Sequence, residues 1–522
     1  MQLWVRVPLV VPNSVDVTGA ASEWHDSWDC WQRLRAMCDY HPQLGVALEV
    51  TEDLLTEHDS LSLERLIRRW RGEPVRTIIV HTNTFLTNQR GYPVLSKSHQ
   101  QFLSAFFHAQ HSLSFVLAGP GHLLTQPRTL NAKNAPAPAA SYSIAVYQRY
   151  LQYLYKMHPP LSELDQFEKP YWDYLQTPLQ PLMDNLESAT YDVFEKDPVK
   201  YRLYREAVRA ALTHEPYLVA KRARCEIEPV IVLVLGAGRG PLVDAALKAA
   251  RDCQWPERGV RVFIVEKNPN AIITLRNRVK HDPDLAWRTI TVYEGDARHW
   301  TWQHTPYPEL RADIVISEML GSFGDNESSP ECLQNIHRLM HAASISIPYD
   351  YTSYLAPVCS SKLWNEVRAY NDLAHFETAY VVKIYNADLL DKPQPCFIFT
   401  HPDRAVLADN SRYHSMQFGI DQNSVVHGFA GYFESILYQS PDKQITVLMS
   451  IHPETHSDQM FSWFPIYFPL RTPIYVTAHE AIQVHFWRLL SDKKMWYEWQ
   501  VQSEHHSSPI HNPNGRSYFI GL

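Results

Sequence analysis

The longest unbroken apolar pattern in the chain's central part is Val230-Ile-Val-Leu-Val-Leu235, which runs straight into Gly236-Ala-Gly-Arg-Gly-Pro241. Consecutive aliphatic positions bounded by glycines predict a strand buried on both faces, as in a parallel sheet covered by helices. Helical spacing then takes over from Leu242 to Ala250, so the unit reads strand, glycine turn, helix. The same alternation continues through strands at Val260–Val265, Ile290–Tyr293 and Ala312–Ser317, with Asn268-Pro269 opening the helix between the second and third. Two helices are expected ahead of this core, Asp184–Phe194 and Pro198–Leu212. The second has Asp197 as its cap and Pro198 at its first position.

On either side the period changes. Towards the N-terminus, short apolar runs at Leu3–Val10, Gly45–Val50, Thr77–Val80 and Ser114–Leu117 alternate with helical spacing at Trp28–Tyr40, Ser60–Trp70, Ser96–Gln110 and Ser141–Lys156. This is a βα repeat of about four units, half of an eight-unit barrel. Asn131–Ala140 reads as a low-complexity loop, and the proline-containing stretch Met157–Gln180 as a linker. From about Pro348 a period of two sets in, at Tyr380–Ile384, Val425–Leu437, Ile445–Ile451, Ile482–Trp487 and Met495–Val501. With almost no helical spacing among them, these strands predict a β-barrel or sandwich. The expected fold class is therefore α/β plus β. Its parts are a partial TIM-barrel-like domain at 1–160, a linker at 161–183, a Rossmann-like domain at 184–347 and a β domain at 348–522.

Composition narrows the classes. The 522 residues are 45% hydrophobic and 20% charged, ordinary globular values. No apolar run approaches the ~20 residues that span a bilayer, and Met1-Gln-Leu-Trp-Val-Arg lacks a signal-peptide pattern, so an intracellular protein is expected. Seven scattered cysteines without a Cys-x-x-Cys pair argue against both a disulfide framework and a zinc site. His452 and His456 have the spacing of a metal pair, but Pro453 disfavours the helix that would align them, and no metal is expected. A net charge of −8 disfavours nucleic acid and suits a basic peptide.

The glycine turn is the first candidate site. A pyrophosphate-binding turn needs Gly-x-Gly-x-x-Gly, and the third glycine would fall where Pro241 stands. Gly-x-Gly-x-Gly suits S-adenosylmethionine, which brings no pyrophosphate to a helix N-terminus. In an open parallel sheet ligands sit beyond the carboxyl ends of the strands, where this chain carries Glu266, Asp296 and Glu318. Glu266 is placed for ribose hydroxyls and Asp296 for an adenine amino group, and each could otherwise cap a helix or face solvent. After the fourth strand, Glu318 and Glu327 flank a segment with Gly321 and Gly324 that can fold both carboxylates to one point. Two carboxylates can share a proton or grip a planar cation, and beside a methyl donor the grip on a guanidinium is favoured. Arginine is not readily deprotonated, so two glutamates would localise its charge and leave one nitrogen more nucleophilic. Alternatively, Glu327 caps the next helix.

The glycine turn, Val265-Glu-Lys-Asn-Pro-Asn270, the double-glutamate segment with Ser329-Pro-Glu-Cys-Leu333, and the ending Ile510-His-Asn-Pro-Asn-Gly-Arg-Ser-Tyr-Phe-Ile-Gly-Leu522 closely resemble the symmetric-dimethylating (type II) protein arginine methyltransferases. Pro178–Glu187 and Tyr191–Lys200 match the same family, and the resemblance runs over essentially the whole chain. It implies that Tyr191 and Lys200 hold the cofactor's carboxylate, Gly236 and Gly238 its amino end, Glu266 the ribose, and Asp296 with Ala297 the adenine. Ala297 stands where the family usually has methionine. Glu318 and Glu327 would be the catalytic, substrate-clamping pair. Phe194 would lie over the guanidinium by cation–π contact, with Trp463 of Phe461-Ser-Trp463 on the substrate side. Phe194 and Trp463 would otherwise be core residues, and Lys200 a surface lysine.

The resemblance also implies S-adenosylmethionine as cofactor, Gly/Arg-rich substrates such as histones and spliceosomal Sm proteins, homo-oligomers, and residence in cytoplasm and nucleus. Family members carry a longer N-terminal region that completes the barrel and docks a WD-repeat partner. This chain begins near the middle of that barrel, so an open sheet edge and weakened docking of that partner are expected. The competing reading is a scaffold without catalysis. An adenine-N6 methyltransferase would want Asn/Asp-Pro-Pro-aromatic where this chain has Ser317-Glu-Met-Leu320.

Overall fold

The computed structural model describes residues 2–9, 26–50, 60–108, 113–119, 143–225, 227–256, 258–404 and 409–522. Val10 and the low-complexity loop Asn131–Ala140 lie outside them.

The central strand Val230–Leu235 is buried along its whole length. It lies between Ala312–Ser317 and Val260–Glu266 in a five-stranded parallel sheet, with Met340–Ile347 and Thr291–Glu294 at the edges. Chain order therefore reverses beside the central strand, and the crevice this opens at the strands' carboxyl ends is where such sheets take ligands. Helix Pro198–His214 packs on this sheet with Asp197 accepting from the Val199 N–H, and the Tyr204 hydroxyl donates to the Ser317 carbonyl at 2.8 Å. The preceding helix is shorter than its spacing predicts, covering only Ser188–Phe194. Its expected first turn is unwound because the Leu186 carbonyl accepts from the Asn268 side chain, 2.9 Å away, instead of from a helical N–H.

Towards the N-terminus, Leu3–Pro8, Leu44–Val50, Val75–His81 and Ser114–Ala118 form a four-stranded parallel sheet in chain order. The C-terminal region holds two antiparallel sheets. One is built on the long strand Ser424–Gln439 between Asp350–Cys359 and Ile466–Val476. The other contains Arg412–Gly419, Ala481–Leu490, Lys494–Gln502 and Ile520–Gly521. Here the structure departs from the period-two reading in two places. Only Tyr380–Val381 is strand within the expected Tyr380–Ile384, since the Lys383 carbonyl turns to the Asp173 N–H. A helix unforeseen from the pattern, Ser361–Arg368, is capped by Ser360 and buries Leu363, Trp364 and Val367.

The parts are welded together. One continuous core includes Val232 and Ile316 of the parallel sheet together with Phe429, Phe468 and Phe486 of the C-terminal sheets. The stretch expected as a linker is docked: buried Asp173 accepts from the backbone N–H groups of Tyr385 and Asn386. The N-terminal sheet domain is tied to the C-terminal region through buried Glu73. Its carboxylate accepts from Trp31, Gln32 and Arg35 (3.1 Å) of its own domain and from Ser361 across the boundary (3.0 Å). Replacing Arg35 by methionine leaves that carboxylate buried without its counter-charge. We expect a loss of about 3–5 kcal/mol in urea unfolding, the cost of breaking a buried pair from one side. An unchanged midpoint would show the pair to be energetically idle.

Candidate functional site

At the carboxyl ends of the parallel strands, where sheets of this kind take their ligands, lies a cavity. Tyr191, Phe194 and Lys200 line it from the helices ahead of the sheet, and Gly236 and Gly238 from the turn after the central strand. Glu266, Asp296, Ala297, Glu318 and Glu327 complete it from the ends of the neighbouring strands. Of the residues expected to touch cofactor or substrate, Trp463 alone is outside the lining. It stands behind Lys200, whose ammonium lies 4.9 Å from its ring centroid.

One half of the cavity is shaped by the glycine turn. Gly236 and Gly238 both have positive φ (67° and 54°), and a Cβ on Gly238 would sit 2.9 Å from the Tyr191 ring. The turn thus lets the Tyr191 ring approach bare backbone closely. Glu266 is buried, and its two oxygens accept from the N–H groups of Gly238 and Asn268, each at 2.8 Å. Burial pushes its pKa up, and those donors restrain the rise. Burial, with the Glu266 charge adding to it, raises the Tyr191 phenol to about 12, so it stays a hydroxyl donor near neutrality. Asp296 is gripped by Arg298 through both oxygens (2.6 and 3.1 Å); burial works against its charge, yet Arg298 holds its pKa below the ordinary value.

The other half is the double-glutamate segment. Gly321 and Gly324 exchange backbone hydrogen bonds (3.2 and 2.8 Å), folding Glu318 and Glu327 towards each other, with Gly324 at φ 81°. Glu327 does not cap the next helix, because Ser328 occupies the cap position of Ser329–Leu333. Burial raises the Glu327 pKa well above that of an ordinary glutamate, the Glu318 charge adds to the rise, and Lys200 opposes it. Lys200 is itself buried and donates to Glu318 at 3.0 Å. Burial disfavours its charge, but Glu318 more than offsets this and holds the pKa above the usual lysine value. Its ammonium lies 5.4 Å from the Phe194 ring centroid and 5.0 Å from that of Tyr201. A cation, two carboxylates and three aromatic faces therefore meet in one place.

Several contributors escape a sequence reading. Arg239, inside the glycine turn, binds both oxygens of Glu195 (2.9 and 2.6 Å) and reaches Asp192 at 2.6 Å, holding helix Ser188–Phe194 over the cavity. Asp197, foreseen only as a helix cap, also accepts from Phe461 N–H, Ser462 N–H and the Ser462 hydroxyl at 2.7–2.9 Å. It thereby joins the start of the Lys200 helix to the loop carrying Trp463, whose indole N–H donates to Leu320 O at 2.8 Å. Neither contact leaves a local spacing signal. His452 and His456 engage neighbouring backbone, and no group of three potential ligands that could hold a metal occurs among the described residues. Nor is any helix among them long and apolar enough to cross a membrane.

Comparison with known proteins agrees with this architecture along the whole chain. Residues 1–157 match the PRMT5 TIM barrel domain, 162–347 the PRMT5 arginine-N-methyltransferase domain and 350–520 the PRMT5 oligomerisation domain. The chain is 44% identical over 536 residues to protein arginine N-methyltransferase 5 of Oryza sativa subsp. indica, covering 100% of the chain and 78% of that protein. To the Xenopus laevis protein of that name it is 43% identical over 541 residues, covering 99% and 77%. To protein arginine N-methyltransferase skb1 of Schizosaccharomyces pombe it is 36% identical over 525 residues, covering 96% and 76%. Fold and matches together define a protein arginine methyltransferase. Within that class, the chain belongs to the protein arginine N-methyltransferase 5 family.

The raised pKa of Glu327 carries a stability cost with a definite sign. A carboxyl whose pKa is higher folded than unfolded stabilises the protein below the unfolded value, and that contribution is lost as pH rises through the folded value. Raising the pH drives charge onto this enclosed carboxyl in the wild type, whereas Glu327→Gln stays neutral. We expect Glu327→Gln to melt higher than wild type at pH 8. The difference should vanish near pH 4. Identical melting at both pH values in scanning fluorimetry would contradict the buried-charge account.

Proposed function

We propose that this protein uses S-adenosylmethionine to methylate arginine in Gly/Arg-rich proteins such as histones and Sm proteins, giving mono- and symmetric dimethylarginine. The observation that carries the reading is the meeting of Glu318 and Glu327 beside aromatic faces that already surround a cation, at the floor of the strand-end cavity.

The cavity suits the cofactor. A glycine cradle that a Cβ would fill is bordered by the Tyr191 hydroxyl, Lys200, and the acceptors Glu266 and Asp296. In this reading Tyr191 and Lys200 take the carboxylate, Gly236 and Gly238 the amino end, Glu266 the ribose, and Asp296 and Ala297 the adenine. When bound, S-adenosylmethionine supplies an electrophilic methyl group on its sulfonium. Everything else is alignment and electrostatics. Glu318 and Glu327 accept guanidinium N–H bonds and localise its positive charge, which leaves the outward nitrogen the richer in electrons. Phe194 covers the cation and keeps water from it, and Trp463 backs the site from behind Lys200. Glu327, held above the ordinary carboxylate range, is suited to receive the proton that the methylated nitrogen must shed. Lys200 bridges the two halves, since the ammonium assigned to the cofactor's carboxylate also donates to Glu318. By the same reading the protein self-associates through residues 350–520 and works in cytoplasm and nucleus.

Mass spectrometry of a Gly/Arg-rich peptide incubated with protein and S-adenosylmethionine tests this. Wild type should yield mono- and symmetric dimethylarginine, and Glu327→Gln should lower kcat by about 10²–10³-fold, as loss of a preorganised charge partner does. Asymmetric product would refute the Phe194 assignment. Cofactor binding without product, persisting after a WD-repeat partner is added, would point to a scaffold.

The pH profile follows from the same pair. Burial and the Glu318 charge favour protonated Glu327, which grips a guanidinium poorly. The kcat/KM for peptide should therefore fall as pH is lowered through a value well above 4.5. An acid limb at ordinary glutamate values would remove Glu327 from the clamp.

A further inference from the structure

The double-glutamate segment is plugged into the C-terminal sheets, and the plug has a polar centre. Arg488, on the strand Ala481–Leu490, is fully buried. Its Nε donates to Asp325 Oδ2 at 2.5 Å, and Nη1 and Nη2 donate to the two oxygens of Glu331 at 2.9 and 2.8 Å. Nη1 also reaches the Asn410 carbonyl at 3.0 Å. Asp325 accepts in addition from the Tyr497 hydroxyl at 2.7 Å, and the Ser353 hydroxyl lies 3.2 Å from its other oxygen. Beside this cluster, Phe323 is buried with its ring packed against Phe397, Phe468, Phe486 and Tyr497. Asp325 and Glu331 stand on either side of Glu327 in the chain, so one guanidinium from another part of the fold holds the segment both before and after the glutamate that faces the cavity.

A buried cation with two buried carboxylates is a poor device for stability, because desolvation cancels most of its attraction and apolar residues of equal volume do as well. What such a cluster does supply is register. The planar fork of arginine meets carboxylates in one geometry, which a lysine cannot reproduce. We infer that Arg488 is a positioning residue for methyl transfer, setting where the Glu327 carboxylate stands by clamping Asp325 and Glu331. It touches neither substrate nor cofactor. The inference rests on the clamp reading of Glu327 given above, and it extends the working site to residues of the C-terminal region that do not line the cavity.

The test compares Arg488→Lys and Tyr497→Phe with wild type and Glu327→Gln. Arg488→Lys keeps the charge and loses the fork; Tyr497→Phe removes one hydroxyl from Asp325 and alters no charge. Sites are counted by titration with S-adenosylmethionine, so that kcat refers to correctly folded enzyme only. Arg488→Lys should bind cofactor as wild type does, lose about 10²-fold in kcat per site, as misplacement by ~1 Å can cause, and raise the ratio of mono- to symmetric dimethylated peptide. Tyr497→Phe should lose about three- to tenfold, the worth of one hydrogen bond, and shift the product ratio the same way. A purely structural role would lower melting temperature and leave both per-site quantities unchanged. Wild-type kcat per site and product ratio in these variants, alongside an inactive Glu327→Gln, would overturn the positioning role alone. Should Arg488→Lys fail to fold, Tyr497→Phe decides by the same criteria. An active Glu327→Gln would instead overturn the clamp reading, and this inference with it.

Discussion

Two carboxylates brought together away from bulk water repel each other, and every nearby feature of this protein either tolerates or exploits that repulsion. Neither glutamate could hold its place by its own preference. A lysine ammonium shares their space, aromatic rings keep the surroundings dry, and the loop between them is closed by a glycine pair that exchanges backbone hydrogen bonds. The repulsion is also what makes the site selective. A flat cation with several N–H donors relieves it at a stroke, whereas a neutral amide cannot.

The Lys200 helix and the loop that carries Trp463 are bound to each other through Asp197. One carboxylate accepts from the first turn of the Lys200 helix and from the backbone and hydroxyl of the Phe461–Ser462 loop. The helix that supplies Lys200 and the aromatic ring behind it are therefore a single piece of structure, although they lie far apart in the chain. Helix Ser188–Phe194 is held differently, by the ion pairs of Arg239 near the surface. Such pairs are worth less than buried ones and weaken with salt.

Local chemistry made much of this legible from sequence. The run Val230–Leu235, the glycines after it and the acidic residues at strand ends are short-range signals, and the structure brings those side chains to one cavity. The strands Asp350–Cys359 and Ile466–Val476 were not visible, for a physical reason. Leu355–Cys359 and Ile466–Leu470 are buried at every position, which erases the alternation that marks a strand over half of each. Helix Ser361–Arg368 did leave a signal, Ser360 three residues before Leu363 at the head of an amphipathic turn, but it was submerged in a β-rich region. The bonds from Asp197 to Ser462 and from Arg488 to Asp325 left none. A polar residue in one segment says nothing about its partner hundreds of positions away, and only the assembled fold pairs them.

A segment tied down at Phe323, Asp325 and Glu331, and closed by its own glycines, has no slack. Elsewhere in the chain an inserted residue can be absorbed by a bulging loop. Here it would rotate one carboxylate out of the cavity or draw a charged side chain out of its buried pair. Over evolutionary time the interval from Ser317 to Glu331 should therefore change by substitution and not by length. Its spacing is then inherited as strictly as the identity of the glutamates it carries.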